Sequence, residues 1–272
     1  DNTIADLDGD DVPDVAVGRI AAADLEEARA ILERTRAFES SYEPGSWNYE
    51  IPLFASEAGF GDVIDGVIES MAFAALREVP TEWSINFTYA REGSPYAYPP
   101  ALFSDRIYEL LNGGSVLMTY IGHGWEGGFD SVDWEGERAP IFDMDDLNRL
   151  DIEHRAPILM LVACLTGAFD RTSPSAAEEL MSQDGGPVSI IASTEVSHPY
   201  SNGILIREMA VALLTEQQRT VGEAFLEAKR RMVANSADPI RQEIDTYAGI
   251  DPSSATPELR EDLIRSHLHM SA

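Results

Sequence analysis

Two uninterrupted apolar runs, Ser115–Ile121 (SVLMTYI) and Pro157–Ala163 (PILMLVA), constrain this chain more than any other feature. Their length suits a strand rather than a helix. A strand with one wet face alternates polar and apolar residues. These do not, so both read as central strands of a parallel sheet covered on both faces. Parallel neighbours need long crossovers, usually helices. The chain supplies them in alternation with further strands. Strands are expected at Val15–Val17, Ile51–Ala55, Trp83–Tyr89 and Val188–Ser193. Helices are expected at Asp24–Phe38, Gly61–Val79, Pro100–Leu111 (ended by Asn112-Gly113-Gly114), Ile204–Thr215 and Val221–Ala234. A short helix, Met144–Leu150, has Asp143 as its N-cap. Ser173-Pro174 reads as the start of another, and Glu258–His267 as a polar C-terminal one. Thr220-x-x-Glu223 is a capping box. Such alternation argues for one layered α/β domain with a mostly parallel sheet.

With 272 residues, 44% of them hydrophobic, the chain can fill one large core. The charge is lopsided: 48 acidic residues against 19 basic, a net −29, with Lys229 the single lysine. That field repels phosphate backbones, which disfavours nucleic acid as a partner, and attracts cationic peptides and metal ions. It equally suits a solvated surface in salty water. No apolar run approaches the roughly 20 residues of a membrane span. One cysteine, Cys164, rules out a disulfide within the chain. The chain starts at Asp1 without Met or leader, so a piece trimmed from a longer protein is expected, and a missing signal peptide says nothing about secretion.

In open parallel sheets ligands bind beyond the carboxyl ends of the strands. The first apolar run leads into Gly122-His123-Gly124, the second into Cys164-Leu165-Thr166-Gly167. Adjacent strands would set His123 and Cys164 at one edge. A thiol with a free pKa of about 8.5 needs a base or a positive field to act as nucleophile. Histidine can take that proton and return one to a leaving amine. Backbone N–H groups of Gly124 and Cys164 are candidate donors to the oxyanion of a tetrahedral intermediate. The bland alternative is a buried small cysteine and a turn histidine.

Four segments resemble, in order, the gingipain-type cysteine peptidases of family C25. They are Asp14-Val-Ala-Val-Gly18-Arg19-Ile20, Tyr120-Ile-Gly-His-Gly124, Leu161-Val-Ala-Cys164-Leu-Thr-Gly167-Ala-Phe169 and Ser189-Ile-Ile-Ala-Ser193-Thr194. The resemblance implies a caspase-like three-layer α/β/α fold, one catalytic domain over 1–272, and endopeptidase chemistry through an acyl-enzyme on a polypeptide substrate. Cys164 would be the nucleophile, His123 the general acid/base, and Glu57 the carboxylate that orients the histidine, unless Glu57 is an exposed loop acid. Asp62 falls near the family's selector for basic P1 residues, or serves a helix N-terminus. Ser193 and Thr194 would line the substrate pocket. An extracellular or cell-surface bacterial location and further domains in the parent chain follow from the same resemblance. No cofactor is implied for catalysis. A sortase-like transpeptidase and a non-catalytic scaffold or adhesin module are the alternatives.

Asp6, Asp8, Asp10 and Asp14 place alternate carboxylates around a tight turn, as a structural calcium would require, though without the full EF-hand pattern. Solvated acids are the alternative. Trp125 and Phe129 either line a cleft or cover a core edge. His154, His198, His267 and His269 lack zinc spacing.

Overall fold

Both apolar runs become strands whose residues are almost all buried. The computed structural model describes residues 2–41, 43–57, 59, 65, 76–152, 155–197, 199–234 and 270–271. The chain divides into two units. The larger comprises Ile20–Glu57 and Glu82–Val196. It opens with α1 (Leu25–Ser40), whose N-cap Asp24 accepts from the N–H groups of Glu26 and Glu27. There follow β1 (Glu50–Ser56), β2 (Ser84–Ala90), α2 (Pro100–Gly113) and β3 (Leu117–Ile121). Two small hairpins come next, β4 (Gly124–Trp125) with β5 (Gly128–Phe129), and β6 (Ser131–Trp134) with β7 (Glu137–Pro140). Then come β8 (Ile158–Val162), α3 (Ala176–Ser182) and β9 (Ser189–Ser193).

The main strands of this unit stand side by side as β9-β8-β3-β1-β2, every pairing parallel. Strand order reverses between β1 and β3. At such a switch point neighbouring crossovers leave to opposite faces, opening a crevice at the carboxyl edge. A line of aromatic rings joins the sheet to α2. Phe54 meets Tyr120 at 5.0 Å, Tyr120 meets Phe129 at 4.9 Å, Phe129 meets Phe142 at 5.7 Å, and Phe142 meets Tyr108 at 4.9 Å. Burying each such ring contributes about 1.5–3 kcal/mol. Gly114 ends α2 at φ 80°, where a Cβ would also collide with the Cβ of Arg155. Glycine therefore meets two demands there.

Several expectations shift. The helix predicted from Ser173-Pro174 begins later. Ser175 is its N-cap and forms a capping box with Glu178: its hydroxyl accepts from the Glu178 N–H while the Glu178 carboxylate accepts from the Ser175 N–H. The hairpins were not predicted. The β6–β7 turn uses Glu135 at φ 52° and Gly136 at φ 84°, the positive pair a tight two-residue turn needs, and glutamate is a weak sequence signal for it.

The smaller unit comprises Asp1–Arg19, Ala58–Thr81 and Ser197–Ala272. It carries α4 (Pro199–Ala210), continued by a π-turn over Val211–Thr215, and α5 (Val221–Ala234). The expected helix 204–215 thus starts five residues earlier, with Pro199 in its first turn. Glu223 N–H donates to the Thr220 hydroxyl at 3.1 Å, the expected N-terminal cap. Val15–Val17 is not a strand. The N–H groups of Asp14 and Val15 both donate to the carbonyl of Ala5, and Arg230 on α5 donates to the carbonyls of Pro13 (3.1 Å) and Asp14 (2.8 Å). The backbone groups of Asp14 and Val15 are thereby committed to a local loop instead of a ladder. The helix expected over 61–79 falls largely, and that over 258–267 wholly, outside the described residues.

Candidate active site

Strand register determines which residues share the carboxyl edge. Ala55 pairs with Ile121, and Ile121 pairs with Val162. Glu57, His123 and Cys164 each lie two residues beyond those partners. The first two flank the switch point, and Cys164 stands on the other side of His123. The same count from the β1–β2 and β8–β9 pairings adds Arg91 and Glu195 to the row. His123 is exposed and Cys164 half-buried, so the sulfur is not walled off in the core.

The two loops are held against each other. Gly122 N–H donates to the carbonyl of Val162 at 3.2 Å, extending the β3–β8 ladder. A Cβ on Gly124 would lie 2.8 Å from both Ala163 Cβ and Thr166 Cγ2, and 3.0 Å from the Cys164 carbonyl oxygen. Only glycine allows that approach. The first N–H groups of α3 reach both loops: Ala176 donates to the Glu126 carbonyl (2.7 Å) and Ala177 to that of Thr166 (2.9 Å). Helix-start donors without internal partners thus tie the histidine loop to the cysteine loop.

Behind Cys164 the backbone is strained. Leu165 sits at φ 60°, a left-handed conformation that costs a branched residue about 1–3 kcal/mol. Its N–H donates to the Glu195 carbonyl (3.1 Å), and Ala168 N–H returns to the Leu165 carbonyl (3.1 Å). Gly167 N–H donates to the Ser193 carbonyl at 2.8 Å.

The His123 backbone is gripped from β1 and β3. Its N–H donates to Ser56 Oγ at 3.2 Å, and its carbonyl accepts from Tyr120 Oη at 2.7 Å. The two hydroxyls are 3.3 Å apart. Burial pushes the Tyr120 phenol well above its ordinary range.

Glu57 is half-exposed and ion-paired with Arg91 at 3.4 Å. Trp125 is exposed, its ring over Gly127, whereas Phe129 is buried in the core, which separates two aromatics that looked alike in sequence. Ser193 is fully buried and its hydroxyl donates to the Glu195 carbonyl at 2.9 Å, so it shapes the loop behind Cys164. Thr194 is half-buried. Asp62, His154, His198, His267 and His269 lie outside the described residues. In the smaller unit, oxygens of Asp6, Asp8 and Asp14 gather within 4.8 Å of one another. Asp10 turns an oxygen to the Val12 N–H at 2.9 Å, and its charge, more than any other cause, raises the Asp8 carboxyl. Carboxylate oxygens at this spacing suit a hard cation, with backbone carbonyls or water completing the shell. Ser56, Tyr120 and Arg91 are the site-edge residues that sequence reasoning did not single out. For Ser56 and Tyr120 the signal was a hydroxyl within the last two residues of a buried strand; Arg91 carried none.

The model of peptidase family C25 matches residues 1–253. Gingipain R2 of Porphyromonas gingivalis is 24% identical over 252 residues, covering 88% of this chain and 32% of that protein. Gingipain R1 of the same organism is also 24% identical over 252 residues, covering 88% of this chain and 24% of that one. The chain thus spans about a third or less of the length of these curated relatives. The crystal structure of the Arg-specific cysteine proteinase gingipain R superposes with a TM-score of 0.65 at 22% identity, over 91% of this chain and 56% of that one. The complex of the RgpB pro- and mature domains gives 0.65 at 23%, over 91% and 58%. The caspase-like α/β fold is therefore the one expected.

Proposed function

The chain belongs to peptidase family C25, and from that premise we propose that it is a cysteine endopeptidase with Cys164 as nucleophile and His123 as general acid and base. His123 takes the Cys164 thiol proton, and the resulting thiolate Sγ attacks the scissile carbonyl. Its electrons move onto the carbonyl oxygen, which the N–H groups of Gly124 and Cys164 stabilise. Collapse expels the amine, to which His123 gives a proton, and leaves an acyl-enzyme. His123 then takes a proton from water, which attacks the thioester carbonyl; the C–S bond breaks, the acid product leaves, and the proton returns from His123 to the sulfur. Glu57 orients the imidazole. The observation that carries this reading is the common register of Glu57, His123 and Cys164 two residues past paired strand ends.

The decisive test uses fluorogenic peptides. Cys164→Ala and His123→Ala are expected to lose several orders of magnitude in turnover while keeping the wild-type melting temperature. A thiol-directed peptide electrophile is expected to label Cys164 in the folded chain. Near-wild-type turnover in either variant overturns the reading.

A basic P1 preference with Asp62 as selector is the finer proposal, motivated by the Arg specificity of gingipain R. Equal hydrolysis after Arg and after neutral residues would reject it. One catalytic domain over 1–272, within a longer extracellular or cell-surface protein, goes with this reading; the unbroken family match supports it. For Asp6, Asp8, Asp10 and Asp14 we propose a structural calcium ion, supported by the gathered oxygens of three of them.

A further inference from the structure

We propose that Ser56 and Tyr120 are positioning residues that lock the backbone of His123 in a closed ring of hydrogen bonds, fixing where its imidazole stands beside Cys164. The inference rests on the peptidase reading above. Donor accounting gives the ring its direction. The His123 N–H can only donate, and Ser56 Oγ receives it at 3.2 Å. The His123 carbonyl can only accept, and Tyr120 Oη donates to it at 2.7 Å. A phenol has one proton, so that proton is spent. The 3.3 Å gap between the hydroxyls is then bridged by the remaining proton, that of Ser56, donated to Tyr120 Oη. Each donor acts once, and the ring closes in one sense only.

Burial makes the ring consequential. Tyr120 is fully buried and Ser56 nearly so. A buried hydroxyl or amide left unpaired costs more than its bond contributed. The phenol keeps its proton at every working pH, because burial pushes its ionisation up. Phe54 and Phe129 press on the Tyr120 ring from two sides. Space is equally committed. A Cβ on Gly122 would run into Ser56 Oγ and lie 2.5 Å from Tyr120 Oη. The ring therefore fills the place that a side chain at position 122 would take.

This answers a problem posed by the motif itself. Glycines on both sides of His123 allow close approach to the cysteine loop but leave the backbone many conformations. An exposed imidazole on such a loop would wander. Three hydrogen bonds from two rigid strands remove that freedom, as preorganised chemistry requires.

The experiment uses the full chain with Tyr120→Phe, Ser56→Ala and the double variant. Each single change is expected to speed amide exchange at His123 and to lower kcat about ten- to a hundred-fold with KM nearly unchanged. The double variant is expected to match the worse single one, because either change opens the same ring. Unchanged exchange at His123, wild-type kcat in Tyr120→Phe, or losses that multiply in the double variant would overturn the proposal. If Ser56→Ala does not fold, Tyr120→Phe decides alone, since it removes one oxygen and no bulk. Failure of the peptidase reading looks different: the wild-type chain then shows no turnover that Cys164→Ala removes. The proposed role falls with it, while exchange at His123 still reports on the ring.

Discussion

Lys229 offers a sharp test of how the smaller unit holds its charge. It is the single lysine of the chain, 4% exposed on α5, with Nζ 4.0 Å from the centre of the Phe225 ring. Burial lowers its pKa from 10.5 to about 7. The unfolded chain holds the proton up to about 10.5, the folded chain only to about 7. Between those values the unfolded state binds more protons, so stability rises with pH. Below pH 7 both states are charged and the penalty is complete; above 10.5 it is gone. Each pH unit well inside the window is worth about 1.4 kcal/mol. Contact with Phe225 favours the ammonium by about 1 kcal/mol and trims this. Lys229→Met keeps the volume and removes the charge. Urea unfolding of both chains should show the variant more stable at pH 7, with an advantage that shrinks by about 2 kcal/mol by pH 9. Other titrating groups cancel in the difference. An advantage that stays constant from pH 6 to pH 9, or grows, refutes the reasoning.

Three further outcomes are expected. Gly122→Ala should destabilise by about 1–3 kcal/mol through overpacking and cut turnover, read by melting temperature and peptide hydrolysis; a silent substitution would contradict the geometry around Ser56. Calcium should raise the melting temperature of the wild-type chain and not that of Asp6→Asn, because Asp6 also accepts from the N–H groups of Gly9 (2.7 Å) and Asp11 (3.1 Å) and so sets the loop. A calcium-independent melting temperature rejects the ion. Glu57→Gln should lower kcat by at least about tenfold with KM kept; wild-type kcat would leave Glu57 only its ion pair with Arg91.

The sheet was legible because burial on both faces leaves a mark that competing effects rarely imitate. Every residue of Ile158–Val162 is buried, as an unbroken apolar run demands. Helix ends set by Asp24, Asp143 and Thr220 were legible for a local reason: the capping oxygen lies within three residues of the N–H it accepts from. Val15–Val17 misled because the Val15 N–H donates to the Ala5 carbonyl, while the Pro13 and Asp14 carbonyls just before it accept from Arg230, over two hundred residues away. Local apolar composition cannot report such partners. The β6–β7 hairpin escaped notice because its turn rests on Glu135 at positive φ, a conformation that composition does not announce.

The site divides along the same line. His123 and Cys164 could be read because the reactive side chain follows its strand directly. Ser56 and Tyr120 could not, since Ser56 reaches the histidine across 67 positions of sequence and matters only once β1 and β3 are in register. That dependence has a consequence. Side chains alternate faces along a strand, so a slip of one residue between β3 and β8 would send each side chain of one strand into the layer on the opposite face of the sheet. The packing of Met118, Tyr120, Leu159 and Leu161 into one core forbids it. The burial that makes the apolar runs recognisable is therefore also what holds His123 and Cys164 at the same height above the sheet. Catalytic geometry and core stability should fail together when register is lost, and separately when only the ring around His123 is opened.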